Sequence, residues 1–182
     1  MSLRIIIGPM MAGKSTELLR RLRRYIIADK KCLLINYIDD NRYKNNIITH
    51  DGTSVNDNNY LKLKYIKTKN LFDINNNIIN DYDVIGIDEA QFYPDLYNFC
   101  RFNLNNNKII ITAGLNGDFN QNKFGQILDL IPIADKVNKL TAICNCGYKA
   151  SFTKKIIIET TNQIDIGSSD KYMAVCRNCL NN

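Results

Sequence analysis

At 182 residues the chain suits one domain, or one domain with a small appendage, which excludes two large domains. With 45% hydrophobic and 23% charged residues it reads as globular, and no apolar run approaches the roughly 18 residues that would span a bilayer, so no membrane association is expected. The net charge of +6 admits nucleic acid as a partner, but apart from Arg20, Arg21, Arg23 and Arg24 the basic residues are scattered, and stable nucleic-acid binding is not expected.

Residues 3–7 predict a short buried strand, too brief for a secretory segment, which argues for an intracellular, cytoplasmic protein. The strand runs into "GPMMAGKS", in which Gly8, Gly13, Lys14 and Ser15 fit G-x-x-x-x-G-K-[ST]. That motif needs a strand before it and a helix after it. Residues 17–28 supply the helix, with Leu18, Leu19, Leu22, Tyr25 and Ile26 at near-helical spacing and the arginines read as a solvated face. In such a loop Gly8, Pro9, Met10, Met11, Ala12, Gly13, Lys14 and Ser15 would turn backbone N–H groups on the phosphates of ATP. Lys14 would reach the outer phosphates and the Ser15 hydroxyl would ligate Mg²⁺.

Further β-rich runs at 32–37, 84–87 and 109–113 alternate with segments of helical spacing, the pattern of a parallel α/β sheet with crossover helices. The polar stretch 41–80 is expected to combine a mobile loop with one strand and one helix. It contains Arg42, a candidate for spreading positive charge over a transferring phosphoryl or else a solvated arginine, and His50, a bystander or loop support. The strand "DVIGI" ends in Asp88 and Glu89: Asp88 would hold Mg²⁺, and Glu89 could deprotonate either a substrate hydroxyl or a water, which leaves kinase and ATPase both open.

From about residue 140 short strands and paired cysteines replace the alternation, which divides the chain into a core at 1–139 and a β-rich subdomain at 140–182. Cys144, Cys146, Cys176 and Cys179 form two pairs with no histidine near them, the donor set of a closed, structural Zn²⁺ site. The first pair has one intervening residue where two are usual. Cys32 and Cys100 lie in apolar segments and read as core thiols.

With these residues in hand the chain resembles the type II thymidine kinases, the family of cellular cytosolic and poxviral enzymes. The blocks "GPMMAGKSTELLRRLRR", "DDNRY", "THD", "VIGIDEAQFYPDLYNFC", "GLNGDF", "FGQILDLIP", "KLTAICNC" and "IGSSDKYMAVCRNC" stand in the family's order over nearly the whole length. The resemblance implies a P-loop core like that of RecA-like ATPases, a zinc-held lasso subdomain, and ATP-dependent phosphorylation of the thymidine 5′-hydroxyl to dTMP in nucleotide salvage. It further implies a homotetramer and feedback inhibition by dTTP. Glu89 then becomes the catalytic base, assisted by Lys14 and Arg42, with Asp88 at the magnesium. The thymidine site would comprise Met10, Phe92, Leu115, Phe119 and Phe124, closed by the lasso residues Gln163, Ile164, Asp165, Ile166, Gly167 and Tyr172. Asn116 stands where the family has an aspartate. Two rivals are a kinase of wider deoxynucleoside range and, from another class, a RecA-like ATPase or nucleic-acid-binding zinc module.

Overall fold

The apolar runs form strands because alternate residues go to opposite buried faces. The computed structural model describes residues 1–40, 63–156 and 171–181. Six strands pair in parallel in the order β3-β2-β4-β5-β1-β6: β1 (Ser2–Ile7), β2 (Cys32–Tyr37), β3 (Leu63–Thr68), β4 (Val84–Ile87), β5 (Ile109–Gly114) and β6 (Lys136–Lys139). Leu3, Ile5, Ile7, Leu33, Ile35, Ile85, Ile87 and Ile110 face one core, completed by the helix Leu96–Asn105 and the 3₁₀ segment Ile127–Ile133. Ile6, Leu34, Val84 and Ile111 face the other, covered by α1 (Lys14–Ile27) through Leu18, Leu19, Leu22 and Ile26. A sheet covered on both faces needs continuous apolar strands, which is why these runs do not alternate with polar residues. Each fully buried Leu or Ile contributes about 1.5–3 kcal/mol.

The α1 arginines divide. Arg20, Arg23 and Arg24 are exposed, as a solvated face requires, but Arg21 is not. Its guanidinium donates to Glu17 Oε1 at 2.7 Å and to Asn138 Oδ1 of β6 at 3.1 Å, so it fastens α1 to the sheet edge. Hydrogen bonds from Arg20, at 2.6 and 2.8 Å, and from Arg21 hold the Glu17 carboxyl low, at about pKa 2.

Of the expectations for the polar stretch, the strand is β3 and the helix is α2 (Asn76–Asn80), capped by the Asn75 side chain, which accepts from the Asn77 N–H at 2.9 Å. The expected loop, with Arg42 and His50, lies outside the described residues. The helix Leu96–Asn105 is α3.

After β6 the architecture changes. β7 (Ala142–Ile143) pairs antiparallel with β8 (Lys149–Ala150), and β9 (Phe152–Lys155) with β10 (Tyr172–Val175), followed by α4 (Arg177–Asn181). Ala142, Cys144, Ala150, Ala174, Val175 and Cys176 make a small core of their own. Among the described residues, no helix is long and apolar enough to cross a membrane.

Because Leu22 is fully buried where α1 meets the sheet, Leu22→Ala is expected to destabilise the fold by about 2–5 kcal/mol. A urea titration reads this, and a loss below about 1 kcal/mol would show that α1 is not held by this contact.

Candidate functional site: strand ends, an acid pair and a cysteine cluster

Parallel pairing brings the C-terminal ends of β1, β2, β4 and β5 to one rim of the sheet, the edge where open α/β sheets take ligands. The loop 8–13 leaves the end of β1 there and turns into α1 through Gly13, which sits in the left-handed conformation at φ 74° as the helix N-cap. No side chain caps this helix. An α-helix leaves its first-turn N–H groups without intrahelical acceptors, and the helix dipole favours an anion at this point. Lys14 folds across the loop and its Nζ donates to the Pro9 carbonyl at 2.6 Å. The Met10 N–H donates to Thr153 Oγ1 of β9 at 3.1 Å, which ties the loop to the small β-rich part of the chain.

At the end of β4, Asp88 is buried, 3% exposed, and its Oδ1 accepts from the Glu89 N–H at 3.0 Å. Glu89 itself occupies the left-handed region, φ 50° and ψ 40°. For a residue with a Cβ that conformation costs about 1–3 kcal/mol and persists only where the surroundings impose it. It points the chain sharply out of the strand and into the 3₁₀ turn Ala90–Phe92, closed by the Phe92 N–H on the Glu89 carbonyl at 3.0 Å. The Glu89 carboxylate accepts from Gln91 Nε2 at 2.6 Å.

The aromatic candidates come together as two sets. Phe92 stands edge-on to Phe124, with centroids 5.5 Å apart, and leans on Tyr37 at the end of β2 at 5.0 Å. Phe119 faces Tyr172 at 6.4 Å, with the Lys155 ammonium 5.0 Å from the first ring and 5.9 Å from the second. Met10 and Leu115 are half-buried and are fixed through their backbone N–H groups, Leu115 on Gln91 Oε1 at 2.9 Å. Gln163, Ile164, Asp165, Ile166 and Gly167 lie outside the described residues, as does Arg42. The structure adds Tyr37, Gln91, Thr153 and Lys155 to the site. Gln91 stands in the "DEAQF" block and could have been suspected there. Thr153 could not, because its partner is 143 residues away.

The four paired cysteines converge: one sulfur from each lies within 4.8 Å of every other, and Cys146 Sγ is 3.5 Å from both Cys176 Sγ and Cys179 Sγ. Four thiolates bound to Zn²⁺ at about 2.3 Å would stand roughly 3.8 Å apart, so the donor set fits that ion. The short first pair is accommodated by a tight turn. Gly147, at φ 86°, donates its N–H to the Cys144 carbonyl, and the Cys144 N–H donates to the Tyr148 carbonyl, both at 2.8 Å, swinging Cys146 back toward the cluster. A side chain at Gly147 would be strained at that φ. The backbone N–H of Cys146, followed by that of Cys176, pulls the Cys144 thiol down to about pKa 6, while neighbouring thiols push Cys179 up to about 12. Burial instead raises Cys32 to about 12 and Cys100 further still, which marks both as unreactive core thiols.

Comparison with known proteins now decides the family. The thymidine kinase family model matches residues 1–180. The chain belongs to the thymidine kinase family. The thymidine kinase of Amsacta moorei entomopoxvirus is 52% identical over 188 residues, covering 100% of this chain and 99% of that protein. The thymidine kinases of vaccinia virus strain Western Reserve and of monkeypox virus strain Zaire-96-I-16 are 48% and 47% identical over 178 residues, each alignment covering 97% of this chain and 95% of the relative. The α/β sheet and the cysteine cluster agree with this membership.

If the cluster holds zinc, purified protein carries about one Zn²⁺ per chain by elemental analysis, and Cys146→Ser lowers both metal content and melting temperature. A metal-free preparation whose melting is indifferent to strong chelators would contradict the assignment.

Proposed function

We propose that this chain transfers the γ-phosphoryl group of ATP to the 5′-hydroxyl of thymidine, giving dTMP, and that Glu89 is the base that takes the hydroxyl proton. Membership of the thymidine kinase family supports the reaction. The observation that supports the role of Glu89 is its held carboxylate at the rim, next to buried Asp88 and on the same edge as the loop 8–15.

In this reading residues 8–15 bind the ATP phosphates, the uncapped N-terminus of α1 contributing its N–H groups and partial positive charge. Lys14 leaves the Pro9 carbonyl to neutralise charge on the transferring group, joined by Arg42. Ser15 and Asp88 would hold Mg²⁺, which when bound supplies charge neutralisation on the phosphates. Glu89 orients the acceptor hydroxyl and accepts its proton as the P–O bond forms. Met10, Phe92, Leu115, Phe119, Phe124 and Tyr172 form the apolar and aromatic walls, and residues 163–167 cover the base through backbone groups. Such a pocket discriminates by shape and by the few polar groups it satisfies, which suits it to thymidine over other deoxynucleosides. Residues 1–139 act as the kinase core, and residues 140–182 as the zinc-held subdomain that carries the lasso. Homotetramer formation, inhibition by dTTP and action in the cytoplasm are parts of the same reading.

Glu89→Gln keeps the size of the side chain and removes the base. It is expected to lower kcat by about 10²–10⁴-fold while ATP affinity stays within about threefold. Turnover near wild type would remove Glu89 from the role.

A further inference from the structure

We infer that Gln91 is a positioning residue for Glu89, locking the carboxylate of the proposed base to the end of β5. The inference rests on the reading of Glu89 as the base.

The Gln91 side chain is buried, 3% exposed, and has a partner at each end of its amide. Oε1 accepts from the Leu115 N–H at 2.9 Å, and Nε2 donates to Glu89 Oε2 at 2.6 Å. The direction of the amide is not arbitrary. A backbone N–H can only donate, so the oxygen of Gln91 must face Leu115 and the NH₂ must face Glu89. One end of the bridge is thus anchored on main chain that continues directly from a sheet strand, where it cannot drift. Space for the anchor comes from Gly114, the last residue of β5: a Cβ there would lie 2.5 Å from Gln91 Oε1 and 2.9 Å from Ile127 Cδ1.

This bridge answers a difficulty at the rim. Glu89 leaves the strand in a left-handed conformation and carries a side chain with three rotatable bonds, so the backbone alone would leave its carboxylate spread over many rotamers. A base must stand within hydrogen-bond reach of the proton it takes, and a displacement of about 1 Å is enough to cost about 10²-fold in rate. A charge-assisted hydrogen bond from a buried, anchored donor restricts Glu89 Oε2 to one place. It also couples the base to Leu115, a proposed wall of the nucleoside pocket, through a single side chain.

The test is a double-mutant cycle on the full chain, reading kcat and KM for ATP and thymidine. Gln91→Met, of similar volume but without hydrogen-bonding groups, is expected to lower kcat by about 10–100-fold, with both KM values within about threefold. In the Glu89→Gln background the same substitution should change kcat by less than about twofold, because there is no longer a base to position. Unchanged kcat in the single variant, a loss confined to KM, or equal losses in both backgrounds would each overturn the inference. Should Gln91→Met fail to fold, Gln91→Glu decides: it still accepts from Leu115 but loses the N–H donor to Glu89. A comparable kcat loss at near wild-type melting temperature supports the bridge, and wild-type kcat overturns it. A wild-type kcat in Glu89→Gln would remove the base itself, whereas an inactive Glu89→Gln beside a normal Gln91→Met removes only the role of Gln91.

Discussion

The parallel pairing of β1, β2, β4 and β5 is the constraint on which the site depends. Because the strands share a direction, a phosphate-loop motif after β1, an acid pair after β4, an aromatic residue ending β2 and the Leu115 amide after β5 all emerge at one rim. These four groups are far from one another along the chain. The pairing is stable because both faces are dry: α1 closes one with Leu18, Leu19 and Leu22, and α3 and the 3₁₀ segment Ile127–Ile133 close the other. Hydrophobic burial thus sets the geometry in which the polar chemistry operates.

The cysteine-bearing part is attached at the same place. The Leu140 N–H donates to the Ile7 carbonyl at 2.7 Å just before the loop begins, Thr153 holds the Met10 amide within it, and Ala12 packs on the small core beside Cys144 and Cys176. That core is built mainly from alanine, valine and cysteine, so its apolar burial is slight and a metal cross-link is the natural source of rigidity. The small core that includes Cys144 and Cys176 therefore packs against the loop 8–13 as well as joining the strands β7 to β10.

Much of this was legible in the sequence. Strands β1, β2, β4 and β5 could be read because buried parallel strands are apolar throughout, and the loop, Asp88 and Glu89 because their motifs are local. β6, "KVNK", was not legible: it is a polar edge strand, with little to bury, and only its pairing with β1 reveals it. Arg21 was read as solvated because helical spacing cannot show that Asn138 waits across the sheet edge. The one-residue gap between Cys144 and Cys146 suggested a poorer metal site, but the turn at Gly147 brings the sulfur back. The contacts of Gln91 and Thr153 are tertiary, and no pattern of spacing contains them.

The central claim is that the phosphoryl group goes to a nucleoside hydroxyl and not to water. The most direct measurement follows γ-labelled ATP with the wild-type protein, thymidine, deoxycytidine, deoxyadenosine and single-stranded DNA being supplied in separate reactions. The account predicts labelled dTMP as the dominant product, little transfer to the other nucleosides and no stimulation of phosphate release by DNA. Label appearing only as inorganic phosphate, released faster when DNA is present, would contradict it and leave the phosphate loop serving an ATPase.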